Sequence, residues 1–143
     1  MILYTDTSSL VKRYVGEPHR DEVLTWLSAA DAVATSRVAY PEIAAALGAR
    51  QRRGDIAAAE VRGLVDTLFA TWDDYLIVDL DELRAADLAL DHGLRGFDAI
   101  HLAAALTLRD ALGHEGVVFS SFDTRLNRAA AAEGLIVLEA ASN

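Results

Sequence analysis

The sequence predicts one α/β domain over residues 1–143, with a mostly parallel sheet between two layers of helices. Short apolar runs alternate with helical segments along the chain, which is typical of a parallel sheet covered on both faces. The predicted strands are continuous apolar runs, as expected for strands that are buried on both sides. With 143 residues, of which 52% are hydrophobic, the chain is the right size for one core.

The first half of the chain is predicted to hold two strands and three helices. In order, these are a strand over 2–5, helices over 8–15 and 19–30, a strand over 32–35 and a helix over 38–53. Val23, Leu24 and Leu27 recur at helical spacing in the second helix. Gly54 follows the third helix, where glycine commonly ends a helix.

The second half is predicted to hold four helices and three strands. In order, these are a helix capped by Asp55, a strand over 75–80, helices over 82–92 and 97–112, a strand over 116–120, a helix over 124–133 and a strand over 135–138. The helix over 97–112 has the clearest pattern, because Phe97, Ile100 and Ala104 repeat every three or four residues.

Four acidic residues occupy positions where a parallel sheet forms its active site. Asp6 and Asp123 follow predicted strands. Glu42 lies in the first turns of its helix, and Asp98 begins another helix. Sites in such sheets lie beyond the carboxyl ends of the strands, so the carboxylates are expected to converge at one edge. Clustered carboxylates repel each other unless a cation neutralises them, and oxygen ligands favour Mg²⁺ or Mn²⁺. This chemistry suits metal-assisted hydrolysis of a phosphodiester.

Each acid also has a purely structural interpretation. Asp is a preferred N-cap residue, so Asp6, Asp98 and Asp123 could each cap a helix. Glu42 could be a solvated residue that interacts favourably with the N-terminus of its helix. The chain holds 22 Asp and Glu residues in all, so spacing alone does not decide between a site and a set of caps.

The sequence around the four acids separates these interpretations. The acids lie in four short sequence motifs: YTDTSSLVK at 4–12, PEIAAAL at 41–47, FDAIHLAAAL at 97–106 and SFDTRL at 121–126. Together, in this order, the motifs resemble those of the PIN-domain ribonucleases, and above all the VapC-type toxins of bacterial and archaeal toxin–antitoxin pairs. The resemblance covers essentially the whole chain and implies a PIN-like three-layer α/β/α fold.

The resemblance also implies a role for each site residue. The catalytic and metal-binding acids are expected to be Asp6, Glu42, Asp98 and Asp123. The fourth of these is often bound through water in the family. Ser121 stands where the family often has Thr, and it keeps the hydroxyl. Thr7 follows the first acid and is expected to orient that acid or the water.

The activity implied by the resemblance is endonucleolytic cleavage of RNA that requires Mg²⁺ or Mn²⁺ and leaves a 5′-phosphate and a 3′-hydroxyl. Family members often act on tRNA or ribosomal RNA, and are usually homodimers that a cognate antitoxin holds inactive. The alternative is a PIN-like module that binds RNA or a partner protein with little or no cleavage. A haloacid dehalogenase-type phosphatase is disfavoured, because Ser8 stands where that class has its second Asp.

The charge of the chain limits how it could bind RNA. The net charge is −9 and the pI is about 4.7, which excludes a generally basic surface that coats nucleic acid. Local phosphate contacts remain open, and Lys12, Arg13 and Arg50 are the candidates. Arg50 also fits a solvated helix end, where a cation complements the helix dipole.

The remaining expectations concern His101 and the cellular location. His101 lies three residues after Asp98 on the same helix face, and is expected to be a hydrogen-bonded, partly buried residue outside the catalytic set. The chain has no Cys, which excludes a thiol nucleophile and fits the cytoplasm. No targeting segment and no membrane-length apolar window is visible, so no membrane partner is expected.

Overall fold

The computed structural model describes residues 1–141, and its centre is a five-stranded sheet. The strands are β1 (Ile2–Thr5), β2 (Ala32–Ser36), β3 (Leu76–Val78), β4 (Val117–Ser120) and β5 (Ile136–Leu138). They lie in the order β3-β2-β1-β4-β5, and every neighbouring pair is parallel. The predicted α/β fold with a parallel sheet is confirmed. Of the predicted domain over 1–143, residues 142 and 143 lie outside the described part.

Seven α-helices connect the strands in the described chain. They are α1 (Thr7–Leu10), α2 (Arg20–Ala29), α3 (Ala39–Arg52), α4 (Ala58–Thr71), α5 (Glu82–His92), α6 (Gly96–Leu112) and α7 (Thr124–Ala132). Gly93 ends α5 with a φ of 64°, a left-handed conformation that glycine adopts without steric cost. None of the helices in residues 1–141 has the length and apolar character needed to cross a membrane.

Three sequence expectations about element boundaries are wrong. The first predicted helix is split, because α1 ends at Leu10 and a 3₁₀ turn follows over Val11–Arg13. Asp55 does not cap α4, since the N-cap position is Ala57 and the Asp55 carboxylate pairs with Arg53 instead. The strand predicted over 75–80 is shorter, because β3 pairs only with the last residues of β2 and ends where β2 ends.

Two apolar clusters cover the two faces of the sheet. On one face, the Tyr4 and Phe119 rings stack with centroids 5.8 Å apart and pack with Leu102 and Leu106 of α6. The other face is covered by a second cluster, which includes Leu10, Ile43, Leu47, Leu68 and Tyr75. The helices therefore lie on both sides of the sheet, which gives the three-layer α/β/α arrangement.

The order of the strands places a crevice beside β1. The chain moves outward from β1 through β2 to β3, and then returns to form β4 on the other side of β1. In open parallel sheets, ligands bind at such a reversal, outside the carboxyl ends of the strands. The two strand ends are tied together there, because the Asp6 backbone N–H donates to the Ser120 carbonyl oxygen at 3.1 Å.

We expect Leu102→Ala to lower the free energy of unfolding by about 2–5 kcal/mol, because it leaves a cavity in the fully buried core of α6. Urea denaturation followed by circular dichroism measures this loss. The matched control is Leu90→Ala on α5, where the side chain is 83% exposed and the change should stay within roughly 0.5 kcal/mol. Equal losses in both variants would contradict this division between core and surface.

Candidate active site

Asp6 is the most buried of the candidate acids. It follows β1 directly, and only 2% of its surface is exposed. Its carboxylate accepts hydrogen bonds from the Ser9 backbone N–H at 3.0 Å, the Ser8 hydroxyl at 2.8 Å and the Ser121 hydroxyl at 2.6 Å. The first of these bonds caps α1, so the N-cap interpretation is correct for Asp6. The other two hold the carboxylate between two loops, which a cap does not require.

The same hydroxyls join the start of α1 to the loop after β4. Ser8 accepts a hydrogen bond from the Phe122 backbone N–H at 2.9 Å, and Ser121 accepts one from the Asp123 N–H at 3.0 Å. Each serine therefore donates to Asp6 and accepts from the neighbouring backbone. This arrangement fixes the Asp6 carboxylate relative to the start of α7.

Glu42 lies in the first turn of α3 and is held by two other residues. Its Oε1 accepts from the Thr7 hydroxyl at 2.6 Å and lies 2.9 Å from His101 Nε2. His101 is 1% exposed, and its Nδ1 lies 2.8 Å from the Tyr4 hydroxyl. Because an ionised carboxylate can only accept, His101 donates to Glu42 from Nε2. Glu42 is therefore not a freely solvated helix residue.

Asp98 and Asp123 are half-buried and share one cation. Arg95 donates to Asp98 Oδ2 at 3.2 Å and to Asp123 Oδ2 at 3.4 Å. Asp123 also caps α7 through the Leu126 N–H at 2.9 Å, so its N-cap interpretation is correct. Asp98 is not the cap of α6, because the N-cap position is Arg95. Instead, the Asp98 carboxylate pairs with Arg95, which also pairs with Asp123 in the loop after β4.

Two cavities open at these acids and share a wall. The first has a volume of about 380 Å³ and is lined by Glu42, Arg95 and Asp98, together with Gly96 and Phe97. The second has a volume of about 370 Å³ and is lined by Arg95, Asp98, Asp123 and Arg125. Three of the four acids therefore face accessible space around one guanidinium group, while Asp6 lies buried beside them.

The pKa values of Asp6 and Glu42 are shifted in opposite directions. Burial raises the pKa of Asp6, and nearby His101 and the hydrogen bonds from Ser121, Ser8 and Ser9 offset only part of this effect. Burial also raises the pKa of Glu42, but the hydrogen bonds from His101 and Thr7 outweigh it. The pKa of Glu42 is therefore lowered, and Glu42 is the better-stabilised carboxylate at neutral pH.

The donor set fits a divalent cation. Carboxylate oxygens are the ligands that Mg²⁺ prefers, and Mg²⁺ takes only one or two of them while keeping several waters. A cation would stabilise Asp6, which is buried and held by neutral donors. It would also stabilise Asp98 and Asp123, which Arg95 now bridges. In residues 1–141, however, no three His, Asp or Glu side chains are close enough to form a ready ligand set. Binding would therefore require side-chain adjustment.

The three predicted RNA-contacting cations make contacts within the protein. Lys12 is buried, donates to Glu17 at 2.7 Å, and lies 4.5 Å from the centroid of the Phe122 ring. Arg50 pairs with the same glutamate. Arg13 donates to a tyrosine hydroxyl on the second core cluster. These contacts stabilise the fold, and RNA binding by the three side chains stays a prediction.

Sequence reasoning missed two participants in the site and undervalued a third. Arg95 was not considered, although its spacing of three residues before Asp98 was a usable signal. Ser8 was not considered as a donor to Asp6. The hydrogen bonding expected of His101 is confirmed, but the expected partial burial is wrong, because the residue is only 1% exposed. Its contact with Glu42 links residues that are 59 positions apart, which local spacing does not predict.

Comparison with known proteins agrees with this geometry. The model of the PIN domain family matches residues 3–132. Two Mycobacterium tuberculosis proteins, Ribonuclease VapC45 (strain CDC 1551 / Oshkosh) and Ribonuclease VapC49 (strain ATCC 25618 / H37Rv), are each 36% identical over 142 residues, which is 97% of this chain and 96% of theirs. The chain therefore belongs to the PIN domain family, and these relatives place it among the VapC-type members, as the sequence motifs predicted.

Solved structures share the fold at low identity. PAE2754 from Pyrobaculum aerophilum aligns with a TM-score of 0.66 and 16% identity over 96% of this chain and 83% of that one. FitAcB from Neisseria gonorrhoeae aligns with a TM-score of 0.64 and 18% identity over 97% of each chain. At these identities, the likeness confirms the PIN-like α/β/α fold alone.

We expect Asp6→Asn to stabilise the metal-free protein by roughly 0.5–2 kcal/mol at pH 8, because it removes a buried charge and keeps a hydrogen-bonding side chain. Burial raises the pKa of Asp6 in the folded state. Ionisation of Asp6 therefore destabilises the fold. The cost grows as the pH rises from the ordinary pKa of aspartate to the raised folded pKa, and it is complete above the folded pKa. The stability difference between wild type and variant should shrink as the pH falls below the folded pKa.

Chemical denaturation in EDTA at several pH values measures this difference. The control is Asp87→Asn on an exposed part of α5, which should change stability by less than about 0.5 kcal/mol. An Asp6→Asn protein that is less stable than the wild type across this pH range would show that the serine donors overcome the cost of burying the charge.

Proposed function

We propose that the protein is a metal-dependent endoribonuclease that acts as the toxin of a toxin–antitoxin pair. The observation that carries the proposal is the site at the carboxyl ends of β1 and β4, where Glu42, Asp98 and Asp123 line two adjoining cavities and Ser121 holds the buried Asp6. The VapC relatives carry the name ribonuclease, which supports the same activity.

Mg²⁺ or Mn²⁺ would be held by Asp6, Glu42, Asp98 and Asp123. When bound, the ion supplies Lewis-acid activation of the phosphodiester and of the attacking water. Ser8 and Ser121 fix the orientation of the Asp6 carboxylate. Hydrolysis of this kind needs no RNA 2′-hydroxyl, and leaves a 5′-phosphate and a 3′-hydroxyl.

Arg95 is the residue best placed to meet the substrate. Its side chain is 81% exposed, and it lines both cavities. A guanidinium group binds phosphate as well as carboxylate, often through two parallel hydrogen bonds. Arg95 now pairs with Asp98 and Asp123, and it would be available to bind the RNA phosphate if these acids held a divalent ion instead.

The proposed partners are a tRNA or ribosomal RNA substrate, a cognate antitoxin and a second copy of the chain in a homodimer. Structural neighbours include a toxin–antitoxin complex from Klebsiella pneumoniae and VapBC2 from Rickettsia felis, which support an antitoxin partner. An arginine from an antitoxin would match the acidic cavities, as Arg95 already does. The proposed location is the cytoplasm.

A second candidate is a PIN-like module that binds RNA or a protein with little or no cleavage. One observation favours it: within residues 1–141, the acids do not form a ready group of three metal ligands. Under this alternative, Arg95 would remain paired with Asp98 and Asp123, and RNA binding would not depend on a divalent ion.

We expect purified protein to cleave end-labelled tRNA or ribosomal RNA with Mg²⁺ or Mn²⁺ and not with EDTA. Asp98→Asn should lower the rate roughly 100-fold to 1,000-fold, the range for losing one group that stabilises transition-state charge. Asp110→Asn changes another acid of α6 that pairs with Arg84 away from the site, and should cleave like the wild type.

The controls separate the two candidates. Cleavage that survives in Asp98→Asn or in EDTA would come from a contaminating nuclease. RNA binding without cleavage by folded, metal-loaded protein would favour the binding module.

We expect Arg95→Met to bind Mn²⁺ up to about fivefold more tightly, because the variant removes a cation that competes for two carboxylates across a solvent-exposed pair. Isothermal titration calorimetry measures the affinity. Arg125→Met is the matched control, since Arg125 lines the same cavity but donates to the Gly93 carbonyl oxygen. Equal gains in both variants would show a general charge effect and no role for the Arg95 bridge.

A further inference from the structure

A third cavity lies beside the acidic site. It has a volume of about 710 Å³, and its lining includes Ser121, Phe122 and Thr124 from the loop that carries Asp123. Small-molecule sites commonly have volumes of roughly 300–1,000 Å³, so this cavity could take a compact organic group. Because Ser121 donates to Asp6, one residue is shared by the wall of this cavity and the support of the buried acid.

Aromatic rings form part of the wall. The His19 and Phe122 rings both line the cavity, with centroids 5.4 Å apart and planes 23° from parallel. Behind them, the Trp26 ring lies 6.1 Å from Phe122 at an angle of 22°. Single-stranded RNA is commonly recognised by unstacked bases that pack against such side chains. The rings therefore suit a planar heterocycle.

Polar groups in the wall can recognise the edge of a base. Thr124, Asn127 and Arg128 line the cavity from one face of α7. The Asn127 side chain donates to the Ser121 carbonyl oxygen at 2.8 Å, which fixes the amide in the wall. Amide and guanidinium groups are the side chains that most often read base edges.

The charge of the lining favours a base over a phosphate. Arg128 and Glu139 both line the cavity and have opposite charges. The His19 ring is paired with Glu22, whose carboxylate lies 2.8 Å from Nδ1. Among the described lining residues, the cavity therefore presents no excess of positive charge, which a phosphate would require. The side chain suited to a phosphate is Arg95, in the two adjoining acidic cavities.

We propose that this cavity binds one base of the RNA, next to the phosphodiester that lies at the acidic site. The inference rests on the proposed ribonuclease function and extends it to sequence preference. The His19 ring packs against the base, while Phe122 is itself stacked on His19 and Trp26 and lies under Lys12. Asn127 and Arg128 contact the edge of the base. Selection among RNA sequences then comes from this pocket, while the acids act on the backbone.

The test blocks the cavity without removing any of its contacts. Ala131 is an exposed residue of α7 that lines the cavity, and Ala131→Trp fills the space with an indole. Ala132→Trp is the matched control, because Ala132 is the next exposed residue of the same helix and lies outside the lining. Both variants keep the acids and their supporting residues, and circular dichroism checks that both fold.

The probes are the four nucleoside 5′-monophosphates and ribose 5-phosphate, in EDTA. Two-dimensional ¹⁵N–¹H NMR follows the Trp26 indole and the amides of α7, with Trp26→Phe used to assign the indole signal. We expect at least one nucleotide to shift these signals in the wild type and in Ala132→Trp, and to bind about tenfold more weakly to Ala131→Trp. Ribose 5-phosphate should leave the signals unchanged.

Three results would overturn the inference. They are the absence of nucleotide-induced shifts in the wild type, equal weakening in both tryptophan variants, and shifts by ribose 5-phosphate equal to those of the nucleotides. The last would mean that the cavity takes the phosphate. None of these measurements depends on cleavage. The NMR titration tests the base pocket and the cleavage assay tests the ribonuclease activity, so failure of one proposal can be told from failure of the other.

Discussion

The buried carboxylate of Asp6 is the constraint around which the candidate site is arranged. It stands at the end of the central strand, where a charge is costly unless donors or a cation compensate it. Its hydrogen bonds come from two serine hydroxyls and one backbone N–H, all of them neutral. Burial still dominates, and the pKa of Asp6 stays raised. The fold thus holds an acid in an unfavourable state, as expected where function and stability compete.

The neighbouring acids receive different support. Glu42 accepts hydrogen bonds from Thr7 and His101, and His101 in turn contacts the buried Tyr4 hydroxyl of β1. This chain of contacts joins β1, α6 and α3, so the position of the Glu42 carboxylate depends on how these three elements pack. Asp98 and Asp123 are instead bridged by the solvent-exposed side chain of Arg95. The site therefore combines a rigid half with a half that can rearrange.

The distribution of cations bears on the proposed ribonuclease function. The net charge is −9, and several of the positive side chains near the site are engaged internally, including Lys12 and Arg50 on Glu17. A polyanion would be repelled by this surface as a whole, so affinity must come from a few local contacts. Arg95 and a divalent ion would supply them at the phosphate, and the aromatic cavity would supply contacts that do not depend on charge. Binding of this kind favours selectivity over general affinity for nucleic acid.

The alternation of apolar runs with helical patterns determined the fold class, because burial of strands on both faces leaves a pattern that is readable locally. Positions at strand ends and helix starts, together with the local sequence motifs, also predicted that Asp6, Glu42, Asp98 and Asp123 form the site. The sequence could not show that β3 stops where its partner strand stops, or that Ala57 and not Asp55 is the N-cap residue of α4. It could not show that Arg95 bridges two acids, that His101 meets Glu42, or that Lys12 turns inward to Glu17. Most of these contacts join residues far apart in the chain, and side-chain geometry in three dimensions decides which partner each charged group finds.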